Sequence, residues 1–99
     1  MSTEPERTGI ERIEAAFAAA RAQGRAALMP YLVGGFPDLE TSRRVARAYA
    51  DAGADLIELG VPYSDPLADG PVIHAAATEA LDAGTTLADV LSICGELAR

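Results

Sequence analysis

Ninety-nine residues permit one small domain with a modest core, and an apolar fraction of 49% beside 23% charged residues describes a folded chain, not a disordered one. The eight strongly basic residues are all arginines and the net charge is −7, which argues against nucleic acid and anionic membrane surfaces as partners. A single cysteine, Cys94, excludes an intramolecular disulfide. The polar, acidic start is no signal peptide, and no apolar run reaches the roughly 20 residues of a membrane span, so a cytoplasmic protein is expected.

Residues 1–7 read as a disordered polar tail, and residues 8–99 as the folded domain. Thr8-Gly9-Ile10-Glu11 fits a capping box, with Thr8 as cap and Glu11 reaching back. From there Ile10, Ile13, Ala16, Phe17 and Ala20 recur at helical spacing, predicting an amphipathic helix to about Gln23, stopped by Gly24. Ala26 to Val33 is a continuous apolar run, the pattern of a strand covered on both faces in a parallel sheet, although Pro30 cannot donate to a ladder.

Gly34-Gly35-Phe36-Pro37 is a loop, for which tight-turn geometry is a sufficient reason without phosphate binding. Asp38 is a candidate N-cap for a helix over Leu39 to Ala52. Val45, Tyr49 and Ala52 form its inner face and Arg43, Arg44 and Arg47 a solvated one. Gly53 ends it, and Asp55 to Leu59 reads as the second strand. A proline-rich loop follows, then Pro71 as a first helical residue, a helix over Val72 to Ala83 and a stop at Gly84. Thr86 opens a last helix with Leu87, Val90, Leu91, Cys94 and Leu97 facing inward, Cys94 as a small core residue.

The order helix, strand, helix, strand, helix, helix implies parallel strands joined by a right-handed crossover. Two parallel strands with open edges are not a finished sheet, so the α/β pattern reads as part of a larger barrel.

The chemistry concentrates in Ile57 to Pro71. Glu58 sits among Leu56, Ile57 and Leu59, and a buried carboxylate needs a partner, a proton or a task. Asp65 and Asp69 follow on a loop stiffened by Pro62, Pro66 and Pro71, and no arginine lies between Arg47 and Arg99 to pair with them. A strand-end glutamate with two rigidly presented aspartates is acid–base equipment. The plainer alternatives are a Glu58 satisfied by backbone N–H groups, an Asp69 that caps the next helix, and an Asp65 that only forms an Asp-Pro turn. A metal site from Glu58, Asp65, Asp69 and His74 matches no dedicated ligand spacing, so no metal is expected.

The run Ile-Glu-Leu-Gly-Val-Pro-Tyr-Ser-Asp-Pro-Leu-Ala-Asp-Gly at residues 57–70 resembles the signature of the tryptophan synthase alpha chain family. Pro30-Tyr31, Gly35-Phe36-Pro37 and Asp51 to Asp55 extend the likeness, while Val33-Gly34 stands where many members have a threonine and a larger apolar residue. The resemblance implies a (β/α)8 TIM barrel of which this is the N-terminal part. It also implies a lyase that cleaves indole-3-glycerol phosphate by retro-aldol chemistry into indole and glyceraldehyde 3-phosphate. Glu58 would be the general acid–base, its pKa raised by an apolar pocket, and Asp69 would hold the indole N–H. Tyr31 would line the substrate site, and Asp65 would lie toward the partner. That partner would be the beta chain of an α2β2 complex, which carries the pyridoxal phosphate; this chain would hold no cofactor. A barrel of this type takes about 250 residues, so the chain is expected to be incomplete and inactive alone. The alternative is a non-catalytic partial barrel that binds a partner or itself.

Overall fold

The structure, a computed structural model, describes residues 7–98; six of the seven residues of the expected tail lie outside the described residues. Its elements are helix α1 (Gly9–Ala22), strand β1 (Tyr31–Val33), helix α2 (Leu39–Asp51), strand β2 (Glu58–Gly60), helix α3 (Pro71–Asp82) and helix α4 (Leu87–Leu97). None of these helices is long and apolar enough to cross a membrane.

The helix starts follow from local chemistry. Thr8 and Glu11 form the reciprocal capping box, with the Glu11 N–H donating to Thr8 Oγ1 at 3.2 Å and the Thr8 N–H to Glu11 Oε1 at 3.0 Å. Asp38 caps α2 by accepting from the Thr41 N–H at 2.7 Å. Thr86 and Asp89 build a second capping box at α4. Pro71 opens α3 as its first residue. Gly24, Gly53 and Gly84 follow three of the helices at positive φ, the conformation that glycine adopts without cost.

β1 and β2 pair in parallel with Tyr31 opposite Glu58, Leu32 opposite Leu59 and Val33 opposite Gly60. Both strands are shorter than the sequence predicts. Pro30 gives no donor, yet its carbonyl accepts from the Glu58 N–H at 2.9 Å, and the Leu28 carbonyl accepts from both Asp55 and Leu56. The pairing therefore begins irregularly and becomes a ladder only at Tyr31. At the other end the Gly34 N–H donates to the Gly60 carbonyl at 2.8 Å, carrying the pairing past β1.

One face of this small sheet lies on α2 and α4. Leu32, Ala46 and Ile93 form a buried cluster there, flanked by Leu39, Val45, Tyr49, Ile57, Leu59 and Leu97. On the other face Val33 packs against Ala77 and Ala80 of α3. Alternation along the strand places Tyr31 on the same side as Val33 and leaves it exposed, so the strands are not covered on both faces as expected.

Three expectations for the helices are corrected. The inner face of α4 is Val90, Ile93 and Leu97, not Leu87, Leu91 and Cys94. Ile93 is 0% exposed, Leu87 and Leu91 are 58% and 59% exposed, and Cys94 is exposed. α4 packs against α2 and β2 through the face that bears Ile93 and Leu97. Arg43 is not merely solvated: its Nε donates to both Glu96 oxygens, at 2.9 and 3.1 Å, tying α2 to α4, and Arg47 donates to the Glu96 carbonyl. The apolar stripe of α1 is mostly uncovered, with Ala20 buried but Ile10 72% exposed.

Candidate functional site

The entry to the two strands is fixed by an ion pair absent from the sequence reading. Arg25 donates through two nitrogens to the Asp55 carboxylate at 2.7 and 2.9 Å, and the Leu28 N–H donates to the same group at 2.8 Å. The Arg25 bonds first, then the Leu28 N–H, hold the Asp55 carboxyl down to about 2. This clamp joins the segment before β1 to the segment before β2, so it sets the register that brings Tyr31 beside Glu58.

The far end of β1 is shaped by glycine. Gly35 adopts φ +90 and its N–H donates to the buried Ser42 hydroxyl at 2.9 Å, with Thr85 filling the space over its Cα. Gly34 lies against α4: a side chain there would meet Val90 Cγ2 at 2.9 Å. The Val33-Gly34 pair thus has a packing account in this chain, with Val33 facing α3 and Gly34 admitting Val90.

Glu58 begins β2 and does not end it as the sequence suggested, because the ladder forms only from the pair of Tyr31 and Glu58 onward. It is exposed, not buried as its apolar neighbours suggested. Successive strand side chains point to opposite faces, so Ile57 and Leu59 turn toward the α2–α4 cluster while Glu58 does not. Glu58 borders a depression of about 600 Å³ whose other walls include Ile13, Phe17, Met29 and Ile57. Tyr31, its register partner, borders a separate hollow of about 340 Å³ with Val33, Phe36, Val72 and Ile73.

Asp65 and Asp69 lie on the exposed loop between β2 and α3, where Leu67 is fully exposed. Both border a third hollow with Tyr63 and Pro66. Asp69 does not cap α3. The N-cap is Gly70, which has no side chain to offer, and the first turn contains no acidic residue. Its carboxylate is felt instead at Tyr31: burial, then the charge of Asp69, then that of Glu58 push the Tyr31 hydroxyl above its ordinary value. Tyr31, Glu58 and Asp69 therefore share one electrostatic neighbourhood.

Sequence reasoning missed Gly60. The Tyr31 ring lies across β2 over the Cα of this glycine, in the space a side chain would fill. The signal was present in the spacing Glu58-Leu59-Gly60, which puts a carboxylate and a gap on one face of a strand.

Comparison with known proteins places this arrangement. The family model described as Tryptophan synthase alpha chain matches residues 17–99. The alpha chain of Synechococcus elongatus is 69% identical over 77 residues, covering 78% of this chain and 29% of the relative. That of Synechocystis sp. is 59% identical over 88 residues, covering 89% of this chain and 33% of the relative. An open form of tryptophan synthase from M. tuberculosis superposes with a TM-score of 0.85 at 41% identity, covering 88% of this chain and 35% of that one. The tryptophan synthase α2β2 complex of Pyrococcus furiosus superposes with a TM-score of 0.68 at 40% identity, covering 74% of this chain and 30% of that one. The chain spans about a third of the length of the curated relatives it matches. The two parallel strands and four helices are the first part of a (β/α)8 barrel. By sequence and by fold, the chain belongs to the tryptophan synthase alpha chain family.

Proposed function

We propose that this chain supplies the acid–base residues of a lyase that cleaves indole-3-glycerol phosphate into indole and glyceraldehyde 3-phosphate. The observation that carries the reading is the position of Glu58, at the start of β2 and opposite Tyr31, within the residues that match the family model. Glu58 gives a proton to the indole ring carbon that bears the glycerol phosphate. The ring nitrogen becomes positive, and Asp69 accepts its N–H and offsets that charge. The carboxylate left on Glu58 then draws the proton from the adjacent glycerol hydroxyl. The carbon–carbon bond breaks, its electrons return to the ring, and indole leaves beside the aldehyde.

Tyr31 provides an aromatic wall for the indole ring. Asp65, exposed at the outer part of the loop, faces a partner. The Pyrococcus furiosus relative is described as an α2β2 complex, which supports a beta chain, carrying pyridoxal phosphate, as that partner. Activity is expected in an alpha chain of the relatives' length, where further segments supply the grip on the phosphate.

The test is Glu58→Gln in such a full-length chain carrying these residues. Indole release is expected to fall about 10²-fold or more, the usual worth of a positioned acid–base group. An unchanged rate would remove the assignment. A second reading, a non-catalytic partial barrel that binds or self-associates, is favoured by one observation: among the described residues β1 and β2 pair only with each other. Sedimentation of the 99-residue chain tests its self-association, which a monomer at all concentrations excludes.

A further inference from the structure

The relation between Gly60 and Tyr31 goes beyond the assignment of a wall for indole. Gly60 is not among the glycines at positive φ, so its backbone makes no demand for glycine. The demand is spatial. A Cβ at residue 60 would collide with the Tyr31 hydroxyl, and would lie 2.7 Å from Cζ and 3.1 Å from Cε2. A methyl at this position and the phenol in its present place exclude one another.

The register explains why the phenol arrives there. Tyr31 stands opposite Glu58, and its ring crosses β2 diagonally to reach Gly60, two residues further along the same face. The hydroxyl is thereby held against the strand that carries Glu58, on a residue that stays partly exposed. Burial and the charges of Asp69 and Glu58 all disfavour the phenolate, so the group keeps its proton.

We propose that Gly60 is a positioning residue, whose missing side chain seats the Tyr31 phenol across β2, where its hydroxyl donates a hydrogen bond within the acid–base site of Glu58. The donor role rests on the lyase reading; the seating does not. In the seat the hydroxyl lies within the field of both carboxylates and can stabilise whichever oxygen carries negative charge during proton transfer.

Two measurements test this separately. In the 99-residue chain with Tyr49→Phe and Tyr63→Phe, Tyr31 is the one remaining tyrosine, and its phenolate is followed by ultraviolet absorbance as pH rises. It is expected to titrate above the ordinary tyrosine value, and Gly60→Ala is expected to bring it back toward that value by displacing the ring. An identical titration in Gly60→Ala overturns the seating. If Gly60→Ala alone loses its helices by circular dichroism, adding Tyr31→Leu is expected to restore them, because the ring atoms in the way of the new methyl are removed. Failure to restore them also overturns the seating.

In a full-length alpha chain carrying these residues, Tyr31→Phe and Gly60→Ala are each expected to lower kcat about tenfold, the worth of a hydrogen bond to a charged group. The double variant should be no slower than the slower single one, since both remove the same interaction. Losses that multiply overturn the donor role. If Glu58→Gln leaves indole release intact, the lyase reading fails while the phenolate titration still reports on the seat, so the two failures are distinguishable.

Discussion

Asp55 shows what a single residue contributes here and what a linear reading overlooks. The chain pattern marks it as the start of a strand, but its function is set by Arg25, 30 residues earlier. No local rule links those two positions. Because the Asp55 carboxyl is depressed from 3.8 to about 2 in the fold, its contribution to stability is complete above the unfolded value. That contribution disappears as pH falls from about 4 through about 2. Asp55→Asn is therefore expected to lower the thermal midpoint at neutral pH and to flatten the acid limb of the stability profile in that window. Thermal melts between pH 2 and 7 check it, and parallel acid limbs in both proteins would contradict it. Glu58 teaches the complementary lesson. The sequence correctly marks it as the charged member of an apolar strand, but residues adjacent in a strand face away from each other. Apolar neighbours in sequence therefore do not bury it.

At the scale of elements, the caps were the most legible features. Thr8, Asp38, Pro71 and Thr86 each act through groups within a few positions, which is the range a motif can report. The rotation of a helix about its axis is less legible when apolar residues nearly surround it. α4 carries Leu87, Val90, Leu91, Ile93, Cys94 and Leu97, and two apolar stripes fit that pattern equally. Packing against α2 and β2 selects the one containing Ile93. Ile93→Ala is expected to cost about 2–5 kcal/mol, the range for emptying a filled core position. Cys94→Ala should change stability by no more than about 0.5 kcal/mol, as surface substitutions do. Urea titrations of the two variants compare the faces directly, and equal losses would mean that both are packed. By the same logic Gly34→Ala is expected to cost about 1–3 kcal/mol, because a new methyl presses on Val90. A repacked Val90 with no loss of stability in the same titration would show that this contact can yield.

For the molecule as a whole, the fold class was legible because strand-helix-strand with short connections leaves few topologies open. The extent of burial was not, since it depends on surfaces that two strands do not provide for one another. Of the eight buried apolar residues among those described, Ala20, Ala46, Ala77 and Ala80 are alanines, which contribute little transfer free energy. Leu67, Val72 and Ile10 are at the same time 100%, 79% and 72% exposed. The Cα radius of gyration, 15.2 Å, exceeds the roughly 13 Å of a compact chain of this length. The isolated chain is accordingly expected to unfold with less than about 5 kcal/mol, below the usual range for domains. It should also bind an apolar dye under native conditions. Urea unfolding and dye fluorescence measure the two properties, and a dye-silent chain of ordinary stability would contradict this account.

The register clamp also carries a consequence for the order of events as the chain emerges during synthesis. Arg25 and Asp55 are 30 residues apart, whereas Arg43 must wait for Glu96, 53 residues further on. The shorter loop closes at lower entropic cost and is available first. The pairing that puts Tyr31 beside Glu58 is thus complete in principle while the last helix is still being made. The chemistry-bearing end of the chain is set in time before the packing that stabilises it.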